Sequence, residues 1–220
     1  MTSNNTRREF LQSVGATGIA TIPIRADNET VTSLDAVDLL IPASEVPTGF
    51  KQQPTPDSNS FIDALYAADP RTTSADIAVQ GYWKGGEQTD PEWVLSSLAI
   101  VADDSIPRET LEDAVGQSYD TYVEEYAAET NDWIQFEQTR TQTSQASEWR
   151  VNIIEQSNCF NQYTGAGHIF TDLMHLQFFG NVVLATLAFG PTDTGPPVDS
   201  LVDQYATVQR TRYDNHGAPQ

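Results

Sequence analysis

The segment LMHLQFFGNVVLATLAF, residues 173–189, decides the fold. Two apolar and aromatic runs flank Gly180-Asn181, a pair that favours the tight turn of a two-residue β-hairpin. Such a loop sets Phe179 opposite Val182, and the register follows: Phe178 meets Val183, Leu176 meets Ala185, and Met174 meets Leu187. Side chains alternate along a strand, so these residues share one almost wholly apolar face that belongs in a core. The other face carries His175 opposite Thr186 and Gln177 opposite Leu184.

Working outward, Pro196 or Pro197 opens a last helix in which Val198, Leu201, Val202, Tyr205 and Val208 form the buried stripe. Before the hairpin, Trp133 to Thr141 and Glu148 to Gln156 read as strands, the second alternating Trp149, Val151 and Ile153 against polar residues. Asp76 to Lys84 alternates in the same way, and Trp93 to Val101 is apolar enough on both sides to lie inside a sheet. The Gly- and Pro-containing stretch from Gly85 to Pro91 reads as the turn between these two. Pro107 to Ala128 is the clearest helix, with Leu111, Val115, Tyr119, Tyr122, Val123 and Tyr126 on one stripe and acids on the other side. Ser58 to Ala68 is a shorter helix candidate ended by Asp69-Pro70.

A hairpin followed by a helix therefore occurs twice, with two further strands between. This pattern predicts an α+β fold, an antiparallel sheet of about six strands packed with two long helices. A strand-helix-strand rhythm is missing, which argues against a doubly wound nucleotide-binding sheet. The order of elements resembles the α/β/α sandwich of the PsbP and Mog1 type. The closing hairpin FFGNVVLATLAFGP and its helix resemble the end of mycobacterial PknH-type extracellular sensor domains. Both resemblances imply an exported binding or accessory module that is not an enzyme. The single domain is expected over residues 36–213, with a polar linker at 27–35 and a polar tail at 214–220.

The first 26 residues have a different character. TRREFLQSVGATGIATIPI, residues 6–24, places Arg7-Arg8 before a short run of small and weakly apolar residues, and Ile-Arg-Ala follows at 24–26. This layout resembles a twin-arginine (Tat) export signal, which implies that Arg7 and Arg8 are read by the Tat machinery. A cleaved signal would end near Ala26, and a retained one would act as a tether. The run is too short and too diluted by Gly and Thr for a stable membrane span, which needs about 20 predominantly apolar residues. The resemblance places the protein outside the cell or at its surface.

No phosphate loop, nucleophile elbow, HExxH or CxxC pattern occurs in the sequence, and no metal site or cofactor is expected. The loop SNCFNQYTGAG, residues 157–167, holds Cys159 and Tyr163, and His168 follows it. Cys159 with His168 is the one pair that could supply a thiol nucleophile and its base, whereas burial is the ordinary fate of a lone Cys. Cys159, Tyr163 and His168 are accordingly the candidate ligand-binding residues, and no catalytic residue is assigned. Two other readings stay open. One is a secreted hydrolase with its site near residues 157–172, and the other a self-assembling surface protein.

Charge narrows the partners. The chain has 31 acids against 11 bases, a formal net charge of −20, and Lys51 and Lys84 are its only lysines. A chain so short of Lys and Arg is unsuited to nucleic acid, whose phosphates require both. An acidic, lysine-poor, threonine-rich composition resembles that of proteins from extremely halophilic archaea. At about 1 M salt the Debye length is about 3 Å, so self-repulsion is screened; in dilute buffer it opposes the compact state. The thermal midpoint is therefore expected to rise by roughly ten degrees or more between dilute buffer and molar KCl, as several kcal/mol of relieved repulsion would produce. A circular-dichroism melt at both salt concentrations checks this.

Overall fold

The computed structural model describes residues 34–53, 66–67, 69–87, 90–117, 133–142, 146–156, 169–191 and 197–216. Seven strands form one antiparallel sheet: β1 (Lys51–Gln52), β2 (Asp76–Glu87), β3 (Asp90–Val101), β4 (Trp133–Gln142), β5 (Ala146–Gln156), β6 (Ile169–Phe179) and β7 (Val182–Pro191). Their order across the sheet is β1-β2-β3-β7-β6-β5-β4, so β3 and β7 lie at the centre and join the two halves. The six long strands are those expected, and the seventh is the two-residue β1 at one edge. Among the described residues, two longer helices complete the framework: α1, described over residues 108–117, and α2 (Val198–His216).

The central hairpin has the expected register throughout, from Phe179 opposite Val182 to Met174 opposite Leu187. Its turn places Gly180 at φ 56°, in the left-handed region that glycine enters without steric cost. The turn is also clamped from outside. Asn181 accepts a hydrogen bond from the Ala102 amide at 2.9 Å, and its side-chain amide donates to Asp104 Oδ1 at 3.0 Å. The residues just beyond β3 thus hold the tip of the neighbouring hairpin.

The two helices cover opposite faces of the sheet. On one face Met174, Leu176, Phe178, Val183, Ala185 and Leu187 pack with β3 residues and with Leu111, Ala114 and Val115 of α1. Trp149 of β5 joins this layer, its ring 4.8 Å from that of Phe178. Glu112 of α1 lies 3.1 Å from Arg108 and accepts a hydrogen bond from the buried Ser147 hydroxyl, which ties α1 to β5. On the other face Leu95, Leu173, Ala188 and Trp93 pack with Val198, Leu201, Val202 and Tyr205 of α2.

That second face is also covered by a strap of two 3₁₀ turns, Ala36–Leu39 and Ala43–Glu45. Ala36, Leu39 and Leu40 seat on Ala78, Ala99 and Leu184. Hydrogen bonds fix the strap from both sides. Ala36 donates its amide to Asp76 Oδ2 at 2.7 Å, and Ile41 donates to Ser97 Oγ at 3.2 Å. The Tyr82 hydroxyl donates to the Ile41 carbonyl at 2.7 Å, and burial pushes its pKa up to about 12. From α2, the Tyr205 hydroxyl donates to the Glu45 carbonyl at 2.9 Å, and Arg212 Nε donates to the Asp38 carbonyl at 2.6 Å.

Gln209 is fully buried between these layers, on the same stripe as Val202 and Tyr205, although its side chain is polar. Its Nε2 donates to the Leu39 carbonyl at 3.3 Å and the Leu98 carbonyl at 3.2 Å, while its Oε1 accepts from the Thr186 hydroxyl at 2.5 Å. Strap, sheet and helix meet at this one amide.

Two local expectations change. Residues 85–87 and 90–91 belong to strands, with Gly86 paired with Pro91 and Glu87 with Asp90, and residues 88–89 between them lie outside the described residues. Gly85 keeps the left-handed φ of 72° expected of a turn glycine and is passed over in the ladder between Lys84–Trp93 and Gly86–Pro91, so glycine there marks an irregularity inside the strand. Asp69-Pro70 opens a 3₁₀ turn, Pro70–Ser74, with the Asp69 side chain accepting from the Arg71 amide as an N-cap. Of the helix expected at Ser58 to Ala68, residues 66–67 are described and helical. Helix α2 continues through residues 214–216, and residues 118–128 of the other expected helix lie outside the described residues.

Gly190 faces Trp93 so closely that an added Cβ would sit 2.1 Å from the indole Cε3. Gly190→Ala is therefore expected to destabilise the chain by about 3 kcal/mol, at the upper end of overpacking costs. Urea unfolding monitored by tryptophan fluorescence measures it.

Candidate binding surface

Sequence reasoning nominated Cys159, Tyr163 and His168, and these residues, like Arg7 and Arg8, lie outside the described residues. The described chain offers two places where polar chemistry departs from its surroundings.

The first is on the α2 face of β5 and β6. The strand period puts His175 and Gln177 on this face, and pairing sets Glu148 opposite Gln177. His175 Nε2 lies 3.6 Å from Glu148 Oε2, an ion pair when the imidazole is protonated but too long for a hydrogen bond. Gln177 is 5 % exposed, and its Oε1 has no hydrogen-bond partner among the described residues. His175 also faces Thr186, whose hydroxyl is engaged by Gln209. The group is a polar seam beneath α2. Among the described residues, no three His, Cys, Asp or Glu side chains converge to hold a metal ion.

The second place is the β1–β2 edge. Lys51 pairs with Trp83 in the register, and its Nζ stands 4.8 Å from the Trp83 ring centroid. Lys84, the next residue along β2, has its Nζ 5.9 Å from the Phe50 ring centroid. Both distances are within cation–π range. Phe50 rests partly buried against the α2-side core, so one ring of the pair is anchored in the fold. Beside them Gln52 donates to Gln80 at 2.9 Å, and the Gln53 amide donates to the Gly81 carbonyl at 2.9 Å.

The lysines differ from three of the arginines, which meet carboxylates, although Arg210 also stands 4.1 Å over the Phe179 ring and Arg212 bonds a backbone carbonyl. Arg71 meets Asp69 at 2.6 Å, Arg108 meets Glu112 at 3.1 Å, and Arg210 meets Asp214 at 2.9 Å. The Arg71 guanidinium accordingly holds the Asp69 carboxyl below its ordinary range. Among the described residues, neither lysine meets a carboxylate; each lies on an aromatic ring. In a chain with 31 acids, both lysines thus stand at one sheet edge with their charge uncompensated by an ion pair. Sequence inspection could count them but could not bring Lys51 to Trp83, because that pairing depends on where β1 docks.

No protein-family model and no curated protein matches the sequence. A solved structure does match in fold. The chain is similar to the extracellular domain of PknH from Mycobacterium tuberculosis. The TM-score is 0.50 at 12 % identity, covering 82 % of this chain and 95 % of that domain. The similarity extends the likeness carried by the closing hairpin to most of the chain, and it is a likeness of fold. No helix among the described residues is long and apolar enough to cross a membrane.

Exposed cation–π contacts are worth about 0.5–1 kcal/mol each. Lys51→Gln and Lys84→Gln are therefore expected to lower stability by at most about 1 kcal/mol apiece. Denaturant midpoints in molar KCl check this.

Proposed function

We propose that the protein is an exported, salt-adapted binding module without catalytic activity, working at or outside the cell surface. The observation that carries this reading is the lysine–aromatic edge, a localised reversal of charge on an otherwise acidic chain. Aromatic side chains at partly exposed positions are enriched in recognition surfaces. The similarity in fold to the extracellular domain of PknH agrees with such a role. The Arg7-Arg8 layout supports delivery through the Tat machinery, with residues 1–26 as the signal. The acid excess supports function in concentrated salt, where screening removes the cost of self-repulsion.

The reading requires two outcomes. Replacing both Arg7 and Arg8 by Lys is expected to leave the chain inside the cell at its full length, while the parent reaches the surface or the medium. Immunoblots of cell, envelope and medium fractions report this. Added back to envelopes from cells lacking it, the full chain is expected to be retained saturably and to be displaced by unlabelled protein. Retention that never saturates, or its absence, would end the binding-module reading.

A further inference from the structure

We propose that the β1–β2 edge is the docking site for an extended acidic polypeptide segment, held by backbone pairing and by Lys51 and Lys84 on its two sides. This deepens the binding-module reading and rests on it.

Three features of the edge define the occupant. The first is its charge. Lysine on an exposed strand usually guards an edge by repelling other strands. Here the two lysines stand on a chain of net charge −20 and reverse its sign locally. The position attracts acids.

The second feature is the unused backbone. β2 is twelve residues long, yet β1 pairs with it at Trp83 and Tyr82, and the Gln53 amide adds one bond to the Gly81 carbonyl. Among the described residues no other strand pairs along that side of β2. An added strand gains affinity from backbone hydrogen bonds, which a peptide matches in repeat and a sugar chain does not.

The third is the placement of the charges. Pairing puts Lys51 on the same face of the sheet as Trp83, and Lys84, one residue further along β2, on the other. A flat anionic surface approaching from one face would meet one ammonium group. A strand lying along the edge sends successive side chains to both faces, so adjacent acids reach both lysines. The rings under the lysines fix the ammonium positions, which lowers the ordering cost of binding.

The test uses the full chain at the lowest KCl concentration that keeps it folded. A fluorescein-labelled peptide of Val-Glu-Glu-Val repeats is the probe, and its anisotropy is followed on titration. Saturable binding is expected, weakened about threefold by Lys51→Gln or Lys84→Gln and about tenfold by both together, as two exposed charge pairs would give. Exchanging Glu for Gln in the peptide should weaken binding similarly, and the double variant Lys51→Arg with Lys84→Arg should restore it.

Several results overturn the proposal: no binding, or binding indifferent to both lysines. It is equally overturned if the lysines instead bind alginate, a polyuronate, or drive dimerisation in sedimentation without peptide binding. Envelope retention of the Lys51→Gln, Lys84→Gln chain separates this proposal from the one beneath it. This double variant is expected to lose both peptide binding and envelope retention, whereas peptide failure on the parent chain with saturable retention sinks only the acidic-segment proposal.

Discussion

The architecture depends on one register. With both faces of the central hairpin covered, a one-residue slip between β6 and β7 would exchange the side chains facing α1 for those facing α2. The two faces are not interchangeable. One takes Met174, Leu176 and Phe178 into an apolar layer, while the other must place Thr186 beneath Gln209 and leave room at Gly190 for Trp93. The two-residue turn at Gly180-Asn181 selects the correct pairing locally, and its clamp by Ala102 and Asp104 reinforces it from the adjoining strand. Register, helix placement and the strap therefore share one origin.

How much of this was legible follows from the range of each interaction. The hairpin announces itself because period-2 alternation and Gly-Asn are both local signals, and the α2 stripe from Val198 to Tyr205 is equally local. Gln209 was not legible. On a helical wheel it falls on the stripe of Val202 and Tyr205, but its polar side chain hides this, and its partners appear only when the Leu39 and Leu98 carbonyls and the Thr186 hydroxyl are brought to it from three other segments. The strap is hidden for the same reason: its short 3₁₀ turns have no periodicity, and its stability comes from partners such as Tyr82 and Tyr205. The candidate surface is an intermediate case. Two lysines can be counted in a sequence, but their pairing with Trp83 and Phe50 is tertiary.

Charge has separate roles on this molecule. The acid excess is a property of the whole surface and acts through screened, long-range repulsion that changes with salt. The lysine–aromatic contacts act at a few ångströms, where ions in solution interfere much less. A protein built for concentrated salt can keep such short-range contacts as a recognition device when general electrostatic attraction has been lost. The polar seam of His175, Glu148 and Gln177 is of another kind, lying under α2 and coupled through Thr186 to the packing of the fold.

The amide of Gln209 bonds to the strap and to the sheet at once, and this makes α2 and residues 36–45 mechanically dependent. Helix α2 cannot lift from the sheet without abandoning the Leu39 carbonyl, and the strap cannot peel back without stranding the Gln209 donor in an apolar layer. Neither departure is cheap by itself, since a buried amide that loses its partner costs about 1–3 kcal/mol. The first and last described segments of the chain thus open together or stay closed together, a latch between residues 36–45 and α2.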